Sequence, residues 1–311
     1  MDAGGRTKPG ARVENRSVYV IHEDSSTELT QPSRKKCIFR GAHKSHIAGD
    51  QQVLCNCNDS LYCSAPMAKF IKPPKTLLSL AGRAIADFKM IREGDRVLLG
   101  ISGGKDSLSL LHILHHLQKC APVHFDLAAM TVDPMAGDFD PSPMIPYLAE
   151  LGVEYFYKRE PIMDRAKEHM GKNSYCSFCS RIKRGVMYKT ARDNNYNVVA
   201  LAQHLDDLAE SFLMSAFHGG KLKTMKAHYV NDDGDLRIIR PLVYARERQT
   251  RDFAISNQLP VVADSCPGCF VMPTQRQHMK ELLAKEESQN KLLFKSLQTT
   301  LMPLMSEGCP E

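Results

Sequence analysis

The sequence predicts an α/β fold, a doubly wound and mostly parallel sheet flanked by helices. Three observations carry that expectation. Short apolar runs alternate with amphipathic helical stretches from residue 73 onward. The runs are nearly continuous in apolar residues, as strands buried on both faces are. The intervals between them suit helical crossovers rather than hairpins. With 311 residues, 43% hydrophobic and 24% charged, the chain can build one large domain or two ordinary ones around a packed core.

The elements follow in chain order. Residues 75–91 carry apolar positions at helical spacing. RVLLGIS (96–102) is a short buried strand, and 106–119 an amphipathic helix. VHFDLAAMTVD (123–133) is the second strand, 142–151 a helix, and VEYFYKR (153–159) the third strand. A helix follows Cys179, then the strand NVVALAQH (197–204) and a helix over 206–217. LRIIRPL (236–242) and LPVVAD (259–264) are further short strands with a helix between them, and residues 274–301 are helical. No internal repeat occurs.

Residues 1–70 differ in kind. They are rich in Ser, Gly, Asn, Lys and Arg without sustained periodicity, and are expected to be a largely disordered extension to a single domain over 71–311. They hold Cys37, His43, His46, Cys55, Cys57 and Cys63, but no C-x2-C pair. The start of the chain lacks the apolar core of a secretory signal, and no apolar run reaches the ~18–20 residues of a membrane span. A cytoplasmic protein with no membrane association is expected. Its ten cysteines are then better suited to metal or redox chemistry than to disulfides.

Net charge is +6, of which +5 lies between Arg181 and Arg251, where 13 Lys/Arg face 8 Asp/Glu. That stretch is either a solvated basic face or a surface for a nucleic-acid backbone.

The chemistry is concentrated in GISGGKDSLSLLHIL (100–114). Gly103 and Gly104 let the backbone turn at a strand end and approach an anion, while the helix start adds amides and positive potential. Lys105 adds charge, and Ser102 and Ser107 offer hydroxyls. Asp106 suits the helix dipole and could ligate Mg²⁺, which prefers oxygen donors. In a doubly wound sheet the ligand lies beyond the strand C-termini. Asp133, ending the second strand, is placed there. So are His204 and Asp207, after the fourth strand in AQHLDDLAES. An ordinary N-capped helix explains His204–Asp207 equally well in isolation.

Two C-x2-C pairs stand out, Cys176/Cys179 in YCSFCSRIKRG and Cys266/Cys269 in DSCPGC. Four thiolates around zinc, three around an iron–sulfur cluster, and a redox pair all fit the spacing, which does not choose among them. FHGGKLKTMK (217–226) has Gly219–Gly220 where a helix would be capped, followed by a basic segment.

SGGKDS resembles the loop signature of the PP-loop ATP pyrophosphatases, enzymes of Rossmann-like, adenine nucleotide alpha hydrolase-like fold that cut ATP between its α and β phosphates. Over residues 75–305 the ordered blocks SGGKDSLSLLHIL, CSFCSRIKRG, HLDDLAESFLMSAFHGGKLKTM, DGDLRIIRPLVYARE and DSCPGC together resemble the tRNA 2-thiocytidine synthetase family. The resemblance implies an enzyme that uses ATP and Mg²⁺ to adenylate O2 of cytidine 32 in the tRNA anticodon loop and then exchanges that oxygen for sulfur. It implies a [4Fe–4S] cluster on Cys176, Cys179 and Cys266, with Cys269 as the alternative third ligand. It makes Asp106, Asp207 and Lys105 catalytic, and gives ATP to Ser102, Gly103, Gly104, Lys105, Asp106, Ser107, Asp133 and His204. Arg181, Lys183, Arg184, Lys221, Lys223 and Lys226 would hold tRNA phosphates. A cysteine desulfurase is the implied sulfur donor, and a homodimer the implied assembly.

Other PP-loop readings compete. A uridine thiolase of this type usually carries cysteine-rich modules at both ends. A non-thiolating ligase has no use for Cys176, Cys179 and Cys266. A zinc-stapled RNA-binding protein would not need an intact SGGKDS. The extension over 1–70 has no placed counterpart in the family, and HLDD stands where a more basic spacer is common.

Overall fold

The computed structural model describes residues 70–135, 139–162, 165, 175–262, 275–306 and 308–309, with 175–177 described through their backbone alone. The extension over 1–69, and with it the expected disorder, lies outside the described residues.

The described chain runs α1 (Lys75–Asp87), β1 (Asp95–Gly100), α2 (Lys105–Cys120), β2 (Phe125–Asp133), α3 (Met144–Leu151), β3 (Glu154–Arg159) and α4 (Tyr175–Asp193). It continues with β4 (Val198–Ala200), α5 (Leu205–Gly219), β5 (His228–Val230), β6 (Arg237–Ile239), α6 (Glu247–Ser256), α7 (Gln275–Gln289) and α8 (Leu293–Ser306). One six-stranded sheet has the order β3-β2-β1-β4-β6-β5. All neighbours are parallel except the edge pair β5–β6. This is the expected doubly wound class.

The apolar runs have no polar face because both faces are covered. Alternate residues of each strand enter different cores. Val97, Leu99, Ala129, Tyr155, Val198 and Ile239 join the packing of α1, α2, α3, α5, α6 and α8. Leu98, Met130, Phe156, Val199 and Ile238 meet Met187 and Ala191 of α4. Among the described residues, α4 covers that second face together with Ile162, which follows β3, and Tyr196. At about 25 cal/mol per Å² of apolar surface, each fully buried Leu or Ile contributes roughly 2 kcal/mol, so the sheet is held from both sides.

The N-terminal edge of the sheet is pinned by one buried carboxylate. Asp95 accepts from Arg237, from Asn197 Nδ2 at 2.9 Å and from the Arg92 amide at 2.6 Å. The opposite, C-terminal edge is left open. Strand order reverses between β1 and β4, so these two strands diverge into loops there, the usual place for a ligand in such sheets.

Four details depart from the sequence reading. The first helix ends at Asp87, with Lys89 at φ +48° turning the chain toward β1. The strand β5 was not anticipated: it forms a hairpin with β6, where Asn231 Oδ1 accepts from the amides of Asp235 and Leu236. The helical stretch over 274–301 is two helices, broken at Asn290. The strand expected over 259–264 does not form in its described part, 259–262. Instead the Val262 amide donates to Gly103 O at 3.0 Å. A β-propensity run was captured by the loop after β1 rather than by the sheet.

That capture constrains Gly103. Its φ is +82°, and a Cβ there would stand 2.8 Å from Val262 Cβ. Gly103→Ala therefore combines left-handed strain with overpacking and should destabilise by roughly 2–4 kcal/mol. Gly82→Ala, in mid-helix with open space around it, should have the opposite sign by about 1 kcal/mol. Denaturant midpoints of the two variants check this pair.

Helix α2 also carries two buried histidines. Burial, and the charge of nearby groups, hold His112 and His115 at about 4, below their ordinary value. Between roughly pH 6.5 and 4 the unfolded chain takes up protons that the folded one refuses, so stability falls as pH falls through this window. His112 Nε2 is bonded to the Tyr147 hydroxyl at 2.5 Å. His112→Gln keeps a polar partner for Tyr147 but cannot be protonated, and should flatten the dependence of melting temperature on pH over this range.

Candidate active site

Three helix starts meet beyond the C-terminal edge of the sheet. β1 leads through Ser102–Gly104 into α2, β4 leads through Gln203–His204 into α5, and the segment after β6 leads into α6. Each brings unbonded amides and positive potential. Carboxylates gather in response.

The loop after β1 closes on itself. Ser102 Oγ accepts from the Gly104 amide at 3.3 Å and lies 3.4 Å from Ser107 Oγ. Ser107 Oγ donates to Gly104 O at 2.9 Å. Asp106 is held by the Thr250 hydroxyl of α6, by Lys105 Nζ at 3.0 Å, and lies 3.7 Å from His204 Nε2. Lys105 also reaches Glu247 Oε1 at 3.0 Å. Burial works to lower Lys105, but Asp106 and Glu247 outweigh it and raise its pKa. Burial likewise pushes Glu247 up, yet hydrogen bonds from Lys280 and Lys105 bring it down to about 2.

The α5 start is a reciprocal cap. His204 Nδ1 accepts from the Asp207 amide at 3.3 Å, and Asp207 Oδ2 accepts from the His204 amide at 3.0 Å. Asp206 takes two nitrogens of Arg246 and the Glu247 amide. Arg276 of α7 bonds Asp207 at 2.9 Å and Glu210 at 2.7 Å. Burial pushes Glu210 up against the pull of Arg276.

In front of this assembly lies a cavity of about 580 Å³, within the range of small-molecule sites. One wall is the loop and the α5 start: Ser102, Gly104, Asp106, Ser107 and Asp207. The opposite wall is α4, with Ser180, Lys183, Arg184 and Met187. Met130, Leu201 and Met225 supply apolar floor, and Arg240 and Arg276 further charge.

The expected site residues separate into groups. Ser102, Gly104, Asp106, Ser107, Asp207, Lys183 and Arg184 share the cavity, and Gly103 and His204 back it. Lys105 is adjacent but turned toward Asp106 and Glu247. Asp133 sits on the same rim, with its carboxylate taken by the Tyr157 hydroxyl at 2.5 Å and the Met135 amide at 2.8 Å; it is not part of the described lining. Lys221 and Lys223 are exposed after the Gly220 cap, itself at φ +58°, and Lys226 is half-buried. Arg181 is exposed on α4.

Of the cysteines, Cys179 is half-buried on α4, one residue before the cavity-lining Ser180. Position 176 is in the same helix, one turn ahead of Ser180. Cys266 and Cys269 lie outside the described residues. Thr250, Glu247, Arg240, Arg246 and Arg276 were not singled out by sequence. Arg276 belongs to a helix of low amphipathicity, and the others lie in or beside the short elements after β6, so their only signal was position.

A PP-loop domain model matches residues 78–269. The tRNA-cytidine(32) 2-sulfurtransferase of Geobacter sulfurreducens is 43% identical over 225 residues, covering 72% of this chain and 87% of that protein. The enzyme of the same name from Mannheimia succiniciproducens is 42% identical over 217 residues, 69% of each chain. Among solved structures, the U34-tRNA thiolase NcsA from Methanococcus maripaludis, with its [4Fe-4S] cluster, aligns with a TM-score of 0.60 at 19% identity over 74% of this chain and 79% of its own. At that identity the likeness concerns the fold. On the match to the PP-loop model and on its curated relatives, this chain belongs to the PP-loop proteins, in the tRNA-cytidine(32) 2-sulfurtransferase family.

Proposed function

We propose that the chain is an ATP-dependent tRNA sulfurtransferase that converts cytidine 32 to 2-thiocytidine. The observation that carries this reading is a single cavity with the PP-loop on one wall and the C-x2-C helix on the other. The family relatives support the choice of cytidine over uridine.

Two bond exchanges are required. Oxygen O2 of the base attacks the α-phosphorus of ATP, and pyrophosphate leaves. A sulfur nucleophile then attacks C2, and AMP departs with the original oxygen. The loop amides and the α2 start receive the pyrophosphate, whose charge develops as the bond breaks. Asp106 and Asp207 are the carboxylates that line the cavity; they would hold a Mg²⁺ ion, which would neutralise phosphate charge there. Lys105 and Thr250 fix the Asp106 carboxylate, and Arg276 fixes that of Asp207. Lys183 and Arg184 face the loop across the cavity and hold anionic substrate there.

The cysteines fit a thiolate-bound cluster. Cys179 is half-buried at the cavity helix. Four residues after Val262, Cys266 is tethered within at most about 14 Å of it along the chain, and Val262 is bonded to the PP-loop. Cys176, Cys179 and Cys266 would hold a [4Fe–4S] cluster, which when bound supplies the sulfur nucleophile. The chain's own contribution is proximity: activated base and sulfur meet across one cavity. A cysteine desulfurase is the sulfur donor that this chemistry calls for, and the cytoplasm the compartment. Lys221, Lys223 and Lys226 extend a basic surface for the tRNA backbone, and a homodimer is the assembly that the family suggests.

Nucleosides from total tRNA of cells with and without the gene test the reading by mass spectrometry. Loss of 2-thiocytidine is expected; loss of a 2-thiouridine instead, or no change, overturns the assignment. The division of labour is tested in the purified protein. Cys176→Ala or Cys266→Ala should abolish thiolation while ATP binding persists. Asp106→Ala should stop ATP–pyrophosphate exchange while the iron absorbance remains.

A further inference from the structure

Arg240 follows β6 and lines the same cavity, but it differs from the cations of the neighbouring carboxylate cluster in being buried without a carboxylate partner. Lys105 pairs with Asp106 and Glu247, Arg246 with Asp206 and Glu287, and Arg276 with Asp207 and Glu210. Arg240 is only 6% exposed and has no carboxylate within ion-pair distance among the described residues. Its Nε donates to Gln203 Oε1 at 2.9 Å and its Nη1 to Lys226 O at 2.6 Å. Its guanidinium lies 5.4 Å from the centre of the Tyr229 ring and close to the phenol. None of these partners is a carboxylate. The Tyr229 phenol is held below its ordinary pKa, against its burial, by the Tyr188 hydroxyl and by Arg240 and Arg184, and Arg184 repels Arg240.

An arginine cannot shed its proton at any physiological pH. A buried charge without a carboxylate partner is expensive, and an anionic ligand would complete it. The cavity is where that ligand would lie, since Arg240, Arg184 and Lys183 all line it together with Ser102, Gly104 and Ser107 of the loop. A planar fork with two nitrogens already fixed by Gln203 and Lys226 is preorganised for a tetrahedral oxyanion.

We infer that Arg240 is the anchor of a second phosphate subsite in the cavity, opposite the PP-loop, completed by Arg184 and Lys183. This rests on the function proposed above only for the source of the phosphate. The phosphate belongs either to the nucleotide or to the RNA backbone, and the binding chemistry is the same in both.

The test uses the full chain. Arg240→Met removes the charge and keeps much of the volume. Affinity for the phosphate that Arg240 holds should fall roughly ten- to a hundredfold, the worth of charge-assisted hydrogen bonds. In the ligand-free protein the lost burial of the charge and the lost hydrogen bonds to Gln203 and the Lys226 carbonyl act in opposite directions on the melting temperature, so affinity is the deciding readout. Weaker ATP binding with unaltered tRNA binding assigns the subsite to the nucleotide. Weaker tRNA binding, with a salt dependence shallower by about one charge, assigns it to RNA. Unaltered affinity for both makes Arg240 a structural brace and overturns the inference.

A second measurement does not depend on the variant folding. In the wild-type protein the Arg240 Nε–H resonance should shift on addition of ATP or of an anticodon stem-loop RNA. A resonance that moves with neither overturns the subsite. Loss of binding in Arg240→Met without any 2-thiocytidine activity in the wild type would refute the assigned reaction and leave the subsite standing.

Discussion

Everything at this site depends on bringing three helix N-termini together. Helix starts repel one another, because each presents a partial positive charge and amides without partners. Here α2, α5 and α6 converge, and the structure compensates with Asp106, Asp206, Asp207 and Glu247 set among them. Asp206 shows how the balance is struck: it accepts from the Glu247 amide of the α6 start and from the Arg246 guanidinium together. The carboxylates then need cations of their own, and Lys105, Arg246, Arg276 and Lys280 answer them. The loop thus sits inside a lattice of charges and counter-charges, with Ser102, Gly104 and Ser107 on the cavity wall.

The same arrangement separates two kinds of chemistry. On one face of the sheet, several helices bury a large core and carry the loop that suits a nucleotide. On the other, α4 is the main described cover, and it brings the thiol-bearing turn and two cations to the cavity mouth. A parallel sheet makes this possible because β1 and β4 diverge at their C-terminal ends, so residues from both faces reach one opening.

Much of this was legible in the residues. RVLLGIS followed by GGKDS located the strand, the turn and the helix, since glycine-rich turns and apolar runs are local signals. AQHLDD located the second helix start for the same reason, and there His204 and Asp207 form the cap of an ordinary helix start while Asp207 also lines the cavity. What stayed hidden was long-range. LPVVAD has strand propensity, yet Val262 is claimed by Gly103, some 160 residues away in sequence, and no periodicity encodes that. Arg240 lies inside the apolar run LRIIRPL, and nothing local sets it apart there. What does is the lack of a carboxylate partner among the described residues, which only the folded chain shows. Asp133 ends its strand as expected, but Tyr157 of the neighbouring strand occupies its carboxylate, a pairing that only register reveals.

The contact between Gly103 and Val262 carries a consequence of another kind. The loop that would grip pyrophosphate and the segment leading to Cys266 touch with no room for one additional methyl group. Neither position is free to drift alone during evolution. A larger side chain at 103 demands a smaller one at 262, and any shift of the backbone at one is transmitted to the other within a single hydrogen bond. Nucleotide handling and the approach to the distal cysteine are thus inherited as one mechanical unit, and a recombination point placed between them would join halves that do not fit.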